Sequence, residues 1–344
     1  MGVYILGPWL GEFATELIML PYLRSLKNKF LKENIVIGYS CPGRDLFYEF
    51  ADRYWSLPES FVDQMASKEY FTCGGGIIDK KTYKNAGWDT PFLDEAWVSL
   101  ETRINKEFGN QDITIISPCF DFGTPYTKIL ENRHSRFNYF LPTKRISSLF
   151  TPSYTVVQTH PSPCSFLEAF PLEPEHKLIR SPIDKGLKLN NLIVIFPRDK
   201  LSDPFRNWQN QQWEKLAQFF IDDGFQIAIL GHGKDDSLNF NINHPNFYNT
   251  IGTDLATQIY FLQNAKISIN PMSGATYLST YTGTPAVVFG SGDHFQAVIK
   301  GEGMAPGTNS FGVPVFLLDT GKSWTVEAES IRDFVYQKLN YQRI

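Results

Sequence analysis

The chain has 344 residues, long for one compact core and comfortable for two domains. With 42% hydrophobic and 20% charged residues it reads as a soluble globular protein, and no apolar run approaches the ~20 residues that a membrane-spanning helix needs. Its net charge of −4 argues against a protein that lives on nucleic-acid phosphates, which would carry a clear basic excess.

The opening stretch MGVYILGPWLGEF has neither the cationic start nor the long apolar core of a signal peptide. Cys41, Cys73, Cys119 and Cys164 lie far apart with no CxxC pair, so reduced thiols and a cytoplasmic protein are expected. Val3–Leu6 is a short apolar strand stopped by Gly7-Pro8, and residues 16–30 then show helical spacing. Residues 35–39 (IVIGY) form a second buried strand, followed by Pro42-Gly43 and an expected helix over 45–54. Residues 113–116 and 154–158 are further strands, the latter ending at Thr159-His160-Pro161. Strands alternating with helices predict a doubly wound α/β layer. Between 55 and 150 the pattern does not order the strands.

Residues 171–188 (PLEPEHKLIRSPIDKGLK) are rich in proline and charge with little periodicity, as expected of a domain boundary. Beyond it the apolar runs 192–196 (LIVIF), 226–230 (QIAIL), 266–270 (KISIN) and 284–289 (TPAVVF) are strands. Helices are expected at 210–222, with Trp213, Leu216, Ala217 and Phe220 on one face, at 254–264 and at 275–282. These make four βα units, and a last helix over about 325–339 closes the chain.

In open α/β sheets, ligands bind beyond the carboxyl ends of the strands. Four of those ends are polar or glycine-rich beyond what packing requires: Pro197-Arg198-Asp199-Lys200, Gly231-His232-Gly233, Asn270-Pro271-Met272-Ser273-Gly274 and Gly290-Ser291-Gly292-Asp293. Ser273-Gly274 opens a helix, where glycine lets backbone approach a ligand and free N–H groups favour an anion such as a diphosphate. An ordinary N-cap serine with a turn glycine reads the same way. Arg198 and Lys200 could neutralise phosphates there, although taken singly such residues are more often solvated surface charges. No acid-x-acid pair follows an apolar strand as a Mg²⁺ or Mn²⁺ diphosphate site would need, and His and Cys lack zinc spacing, so no metal is expected.

Taken in order, several pieces resemble one family. They are a strand ending in Pro197-Arg198, then Arg206-Asn207-Trp208, Trp213-Glu214-Lys215-Leu216, a strand ending in Leu230-Gly231, Ser273-Gly274, and Gly283-Thr284-Pro285 before Ala286-Val287-Val288-Phe289-Gly290. This pattern resembles the C-terminal domain of glycosyltransferase family 9, the heptosyltransferase group, whose fold is GT-B. It departs from the family at Asn270-Pro271-Met272, where an acid is usual, and at Pro197-Arg198-Asp199, where small residues are usual. Those departures bear on the donor nucleotide and sugar more than on the fold. At the other end, Gly7-Pro8-Trp9-Leu10-Gly11-Glu12-Phe13-Ala14-Thr15-Glu16-Leu17 resembles the glycine-acid turn after the first strand of inverting GT-B enzymes.

The resemblance implies an α/β protein of GT-B fold, two Rossmann-like doubly wound domains facing a central cleft. The expected division is an acceptor-binding domain over 1–170, a linker over 171–190, a nucleotide-sugar domain over 191–322, and a closing helix over 323–344 free to cross back to the first domain. The implied activity is metal-independent, inverting transfer of a sugar from a nucleotide-sugar donor, with no other cofactor, to a hydroxyl of a glycan or another acceptor, modified DNA of phage type among them. One base must take the acceptor proton. Glu12 is the first choice and Glu16 the second, Glu16 reading equally well as a first-turn glutamate that complements the helix dipole. The donor set is Arg198, Lys200, Arg206, Gly231, His232, Gly233, Met272, Ser273, Gly274 and Asp293, and the acceptor set is Trp9, Gly11 and His160. A polysaccharide pyruvyl transferase, a sugar epimerase or a non-catalytic glycan-binding relic would share the architecture.

Overall fold

The structure is a computed structural model, and it describes residues 2–9, 13–66, 70–73, 76–79, 91–109, 111, 113–118, 137–141, 144–146, 154–159, 174–199, 204–231, 238–293, 311–321 and 324–341. The chain divides into two compact units, Met1–Glu175 and His176–Ile344.

The first unit runs β1 (Val3–Leu6), α1 (Phe13–Phe30), β2 (Ile35–Ser40), a 3₁₀ turn (Asp45–Tyr48), β3 (Arg53–Ser56), α2 (Glu59–Ala66), β4 (Tyr70–Cys73), β5 (Gly76–Asp79), α3 (Pro91–Phe108), β6 (Ile113–Pro118), β7 (Phe137–Leu141), β8 (Lys144–Ile146) and β9 (Tyr154–Thr159). Seven strands form a sheet in the order β3-β2-β1-β6-β9-β7-β8, while β4 and β5 pair as a separate hairpin. Within the large sheet every pairing is parallel except β7 with β8. Ile5, Val36, Ile37 and Ile115 are fully buried, as strands covered on both faces require.

The expected helix over 45–54 is a correction. Only Asp45–Tyr48 is helical, as a 3₁₀ turn, and Arg53–Ser56 is the edge strand β3. The physical reason is the aromatic run: Trp55 pairs in register with Tyr39 and packs edge-on against it at 6.4 Å, burying a ring that a helix would have turned away. Gly38, beside Tyr39 on β2, makes room for the Tyr48 ring of the 3₁₀ turn, since a Cβ there would stand 2.4 Å from it.

The second unit runs β10 (Leu192–Ile195), a 3₁₀ turn (Pro204–Arg206), α4 (Asn210–Asp222), β11 (Gln226–Ile229), β12 (Phe247–Asn249), α5 (Leu255–Gln263), β13 (Ala265–Pro271), α6 (Gly274–Thr282), β14 (Ala286–Gly290), β15 (Val315–Asp319) and α7 (Ala328–Tyr341). Its strands lie in the order β12-β11-β10-β13-β14-β15, all parallel. The chain therefore winds outward from β10 to one edge, returns to the middle, and winds outward from β13 to the other. Between β10 and β13 the winding reverses, and it is beyond the carboxyl ends of strands at such a reversal that open α/β sheets bind ligands.

One face of this sheet is sealed by α4 and α7. Trp213, Leu216, Ala217 and Phe220 of α4 pack with Ile193, Ile195, Ile227, Ile229, Ile267, Ile269, Val287 and Phe289 of the strands. The closing helix, expected to be free to cross to the first domain, contributes Ala328, Ile331 and Val335 to the same core. Residues 174–190 carry no helix or strand. They are tied by Glu175 N–H to the Pro21 carbonyl at 3.0 Å, and four residues later by Ile179 N–H to the Tyr281 carbonyl at 2.8 Å.

Candidate functional site

At the carboxyl end of β10 the chain passes through Phe196 and Pro197 to Arg198, only 5% exposed. Arg198 donates from Nη1 to Asn207 Oδ1, and Asn207 Nδ2 donates to Asp199 Oδ1 at 3.2 Å. Arg198 thus fastens the loop after β10 to the segment after the 3₁₀ turn. Eight residues on, Arg206 donates from Nη2 to the carbonyl of Met272 and lies over the Trp324 indole, 5.0 Å from the ring centre. That carbonyl directly precedes Ser273, the N-cap of α6. Ser273 is extended, and its Oγ accepts from Ala275 N–H at 3.3 Å.

A fixed guanidinium therefore sits beside the N-terminus of a nine-residue helix, at the strand-order reversal. Both features favour an anion, one by formal charge and the other by free N–H groups and the helix dipole. Fully buried Asn270 lies alongside the first turn of α6, its Oδ1 accepting from Thr276 Oγ1 at 2.6 Å. Its Nδ2 has no hydrogen-bond partner among the described residues. The stretch Asn270-Pro271-Met272 stands where the family resemblance leads one to expect an acid before Ser273-Gly274, and it brings no negative charge to the turn.

Of the expected donor residues, Arg206, Met272, Ser273 and Gly274 come together here. Arg198 is near but already engaged with Asn207, which gives it a loop-fastening role. Gly231 lies two residues past the end of β11, its carbonyl accepting from Gln258 Nε2 at 3.2 Å. Asp293 is exposed past the end of β14. Lys200, His232 and Gly233 lie outside the described residues, as do Glu12, Gly11 and His160. The sequence reading missed Phe205 and Trp324. Phe205 adjoins the Arg206-Asn207-Trp208 triple and was open to suspicion, whereas Trp324 reaches Arg206 only through the fold.

In the first unit, two expectations change. Trp9, expected at an acceptor surface, is 2% exposed, and its N–H donates to the Tyr39 carbonyl at 2.9 Å. It is a core residue that holds the loop after β1 against β2. Gly7 allows that approach: its φ is +137° and a Cβ would stand 2.1 Å from the Tyr39 carbonyl oxygen.

Glu16, the second candidate base, is fully buried in the first turn of α1. Tyr48 OH donates to its Oε1 at 2.8 Å, and Arg44 Nη1 pairs with its Oε2. Burial works against the charge on Arg44, but the Glu16 carboxylate more than offsets it and the guanidinium is held more firmly protonated than usual. Burial, reinforced by the same carboxylate, pushes the Tyr48 phenol well up, and burial also raises the Cys41 thiol. Glu16 is an anchor engaged on both oxygens and closed to solvent. Among the described residues, no three His, Cys, Asp or Glu side chains are grouped to hold a metal, and no helix is long and apolar enough to cross a membrane.

No family model matches the chain, and no curated protein matches it. Solved structures do. A family 9 glycosyl transferase from Veillonella parvula superposes with a TM-score of 0.61 at 10% identity, over 98% of this chain and 97% of that one. The E. coli heptosyltransferase WaaC with ADP gives 0.53 at 11%, over 98% and 99%. The E. coli ADP-heptose lipopolysaccharide heptosyltransferase II gives 0.52 at 11%, over the whole of both chains. The chain has the GT-B fold. Each of the two GT-B units is a Rossmann-like layer with its own carboxyl edge, and in the second that edge carries Arg206 and the start of α6.

Proposed function

We propose that this protein is an inverting, metal-independent glycosyltransferase that moves a sugar from a nucleotide sugar to an acceptor hydroxyl. One observation carries the reading: Arg206 is fixed by the Met272 carbonyl at the N-terminus of α6, at the strand-order reversal of a GT-B unit. That is an anion site where a diphosphate leaves. As the acceptor oxygen attacks the anomeric carbon, the bond to the diphosphate breaks and negative charge grows on the departing phosphate. Arg206 and the α6 N–H groups meet that charge without a metal ion. Glu12, between β1 and α1 in the sequence, takes the acceptor proton; Glu16 is engaged by Arg44 and Tyr48.

Two fold neighbours are described with ADP or as ADP-heptose enzymes, so adenine nucleotides head the donor panel. The test is release of nucleoside diphosphate from ADP-heptose, UDP-, GDP- and dTDP-sugars with glycan acceptors. No release from any of them sinks the reading; C2 epimerisation or binding without turnover would install the epimerase or the relic in its place. Glu12→Gln should lower turnover by about 100-fold or more and leave donor affinity unchanged.

A further inference from the structure

The carboxyl edge of the second sheet has two flanks around the β10–β13 reversal, and they differ in kind. On the β11 side it presents backbone and small polar groups. The Gly231 carbonyl accepts from Gly252 N–H at 3.1 Å, and Thr253 Oγ1 donates to the Thr250 carbonyl at 2.8 Å. On the β14 side it presents rings. Trp324 lies against the backbone of Gly290, where a Cβ would come within 2.3 Å of the indole, so only glycine fits beneath it. Phe205 meets Trp324 at 6.1 Å with the ring planes at 65°, yet Phe205 remains 64% exposed.

A single exposed phenylalanine is ordinary. This one is held. Trp208 Nε1 donates to the Val326 carbonyl at 2.8 Å, tying the segment that carries Phe205 to the segment that carries Trp324. Trp208 itself is buried against Trp213 and Phe289 at 4.6 and 5.4 Å. Arg206 then stacks on the other ring of the pair, Trp324, at 5.0 Å. An apolar ring fixed beside a fixed cation is a preorganised surface, and its ordering entropy is spent at folding rather than at binding.

We propose that Phe205 and Trp324 form a shelf for the transferred sugar of the donor; this rests on the glycosyltransferase reading above. The argument is one of distance along the ligand. In a nucleotide sugar the anomeric carbon is bonded directly to a diphosphate oxygen, while the nucleobase is separated from the phosphates by the whole ribose. A ring lying next to Arg206, which holds the diphosphate, is therefore the sugar or the ribose, and a pyranose bonded straight to the phosphate offers the broader C–H face of the two. The chemistry agrees. A pyranose has a face of C–H groups with partial positive charge, suited to the negative face of a phenyl ring, and a rim of hydroxyls. Carboxylates stand on the same flank to accept from that rim: exposed Asp293 past β14, and Asp319, which pairs in register with Gly290. Asp319 is held in place by the N–H groups of Gly292 and Gly321, which donate to its Oδ1 at 2.9 and 2.8 Å.

The test compares Phe205→Ala and Phe205→Tyr in the full chain by calorimetry, using ADP, UDP and GDP and the matching ADP-heptose, UDP-glucose and GDP-mannose. Phe205 is exposed, so the alanine variant should unfold at the wild-type midpoint. We expect Phe205→Ala to weaken the nucleotide sugar by roughly fivefold or more and the nucleoside diphosphate by less than about twofold, with Phe205→Tyr restoring both. Equal weakening of sugar nucleotide and diphosphate would overturn the assignment in favour of the nucleoside, and no change in either would remove the shelf altogether. If the wild type binds neither class of ligand, the glycosyltransferase reading itself fails, an outcome distinct from a wild type that binds both and ignores Phe205.

Discussion

A carboxylate with no access to water must be matched by donors or lose its charge, and Glu16 is matched twice, by Arg44 and Tyr48. Removing one partner of such a pair leaves the other buried and uncompensated, which typically costs about 3–5 kcal/mol. Glu16→Gln should therefore lower the stability of the first unit by that order in a denaturant titration, with any loss of activity following the loss of folded protein. A variant as stable as wild type but inactive would return Glu16 to the role of base. Sequence alone could not separate Glu12 from Glu16, four positions apart in the chain. What decides Glu16 lies 28 and 32 residues downstream, at Arg44 and Tyr48. Trp9 is the same kind of case, since its burial follows from the fold and not from its neighbours in the sequence. Arg206 was legible because it sits in a compact Arg-Asn-Trp triple, but its hold on Met272 and Trp324 was not.

Elements were most legible where strands are buried on both faces. β10, β11 and β14 are nearly continuous apolar runs between turn residues, as parallel sheets demand, whereas β13 alternates Ile267 and Ile269 with Lys266, Ser268 and Asn270. Strands that only partly bury themselves left no such trace: β12 is a three-residue edge strand with no fully buried residue, and β15 has one. The turn chemistry around α6 was readable as Ser273-Gly274 at the start and Gly283 at the end. Gly283 adopts φ +85° as the left-handed cap, and a Cβ there would meet Leu178 at 3.3 Å. Gly224, after α4, has φ +83° with nothing within 4 Å of a Cβ. Both should suffer from alanine by about 1–2 kcal/mol through the left-handed backbone alone. Gly283→Ala should cost more, because Leu178 must also shift from the segment that follows the unit boundary. Parallel denaturant titrations of the two variants decide it; an equal or reversed ranking would mean that the Leu178 contact contributes nothing.

At the scale of the whole molecule, the two units have separate sheets, and in the second both the core and the proposed diphosphate residues, Arg206 and the start of α6, are local to the unit. The core on the α4–α7 face and the edge bearing Arg206 share β10, β13 and β14, so binding at the edge and packing at the core act on the same folding equilibrium. A ligand that binds only the folded second unit raises that unit's stability by about 2.7 kcal/mol at a hundred times its dissociation constant. Phe220, fully buried on α4, should lose about 3–5 kcal/mol when cut to alanine. Calorimetric scans of the full chain are therefore expected to show two transitions. Nucleoside diphosphate should raise one of them, and Phe220→Ala should lower that same one while leaving the other in place. A nucleotide-sensitive transition that Phe220→Ala does not touch would put the donor on the first unit, and with it would fall the assignment of Arg206 and α6 as the diphosphate site.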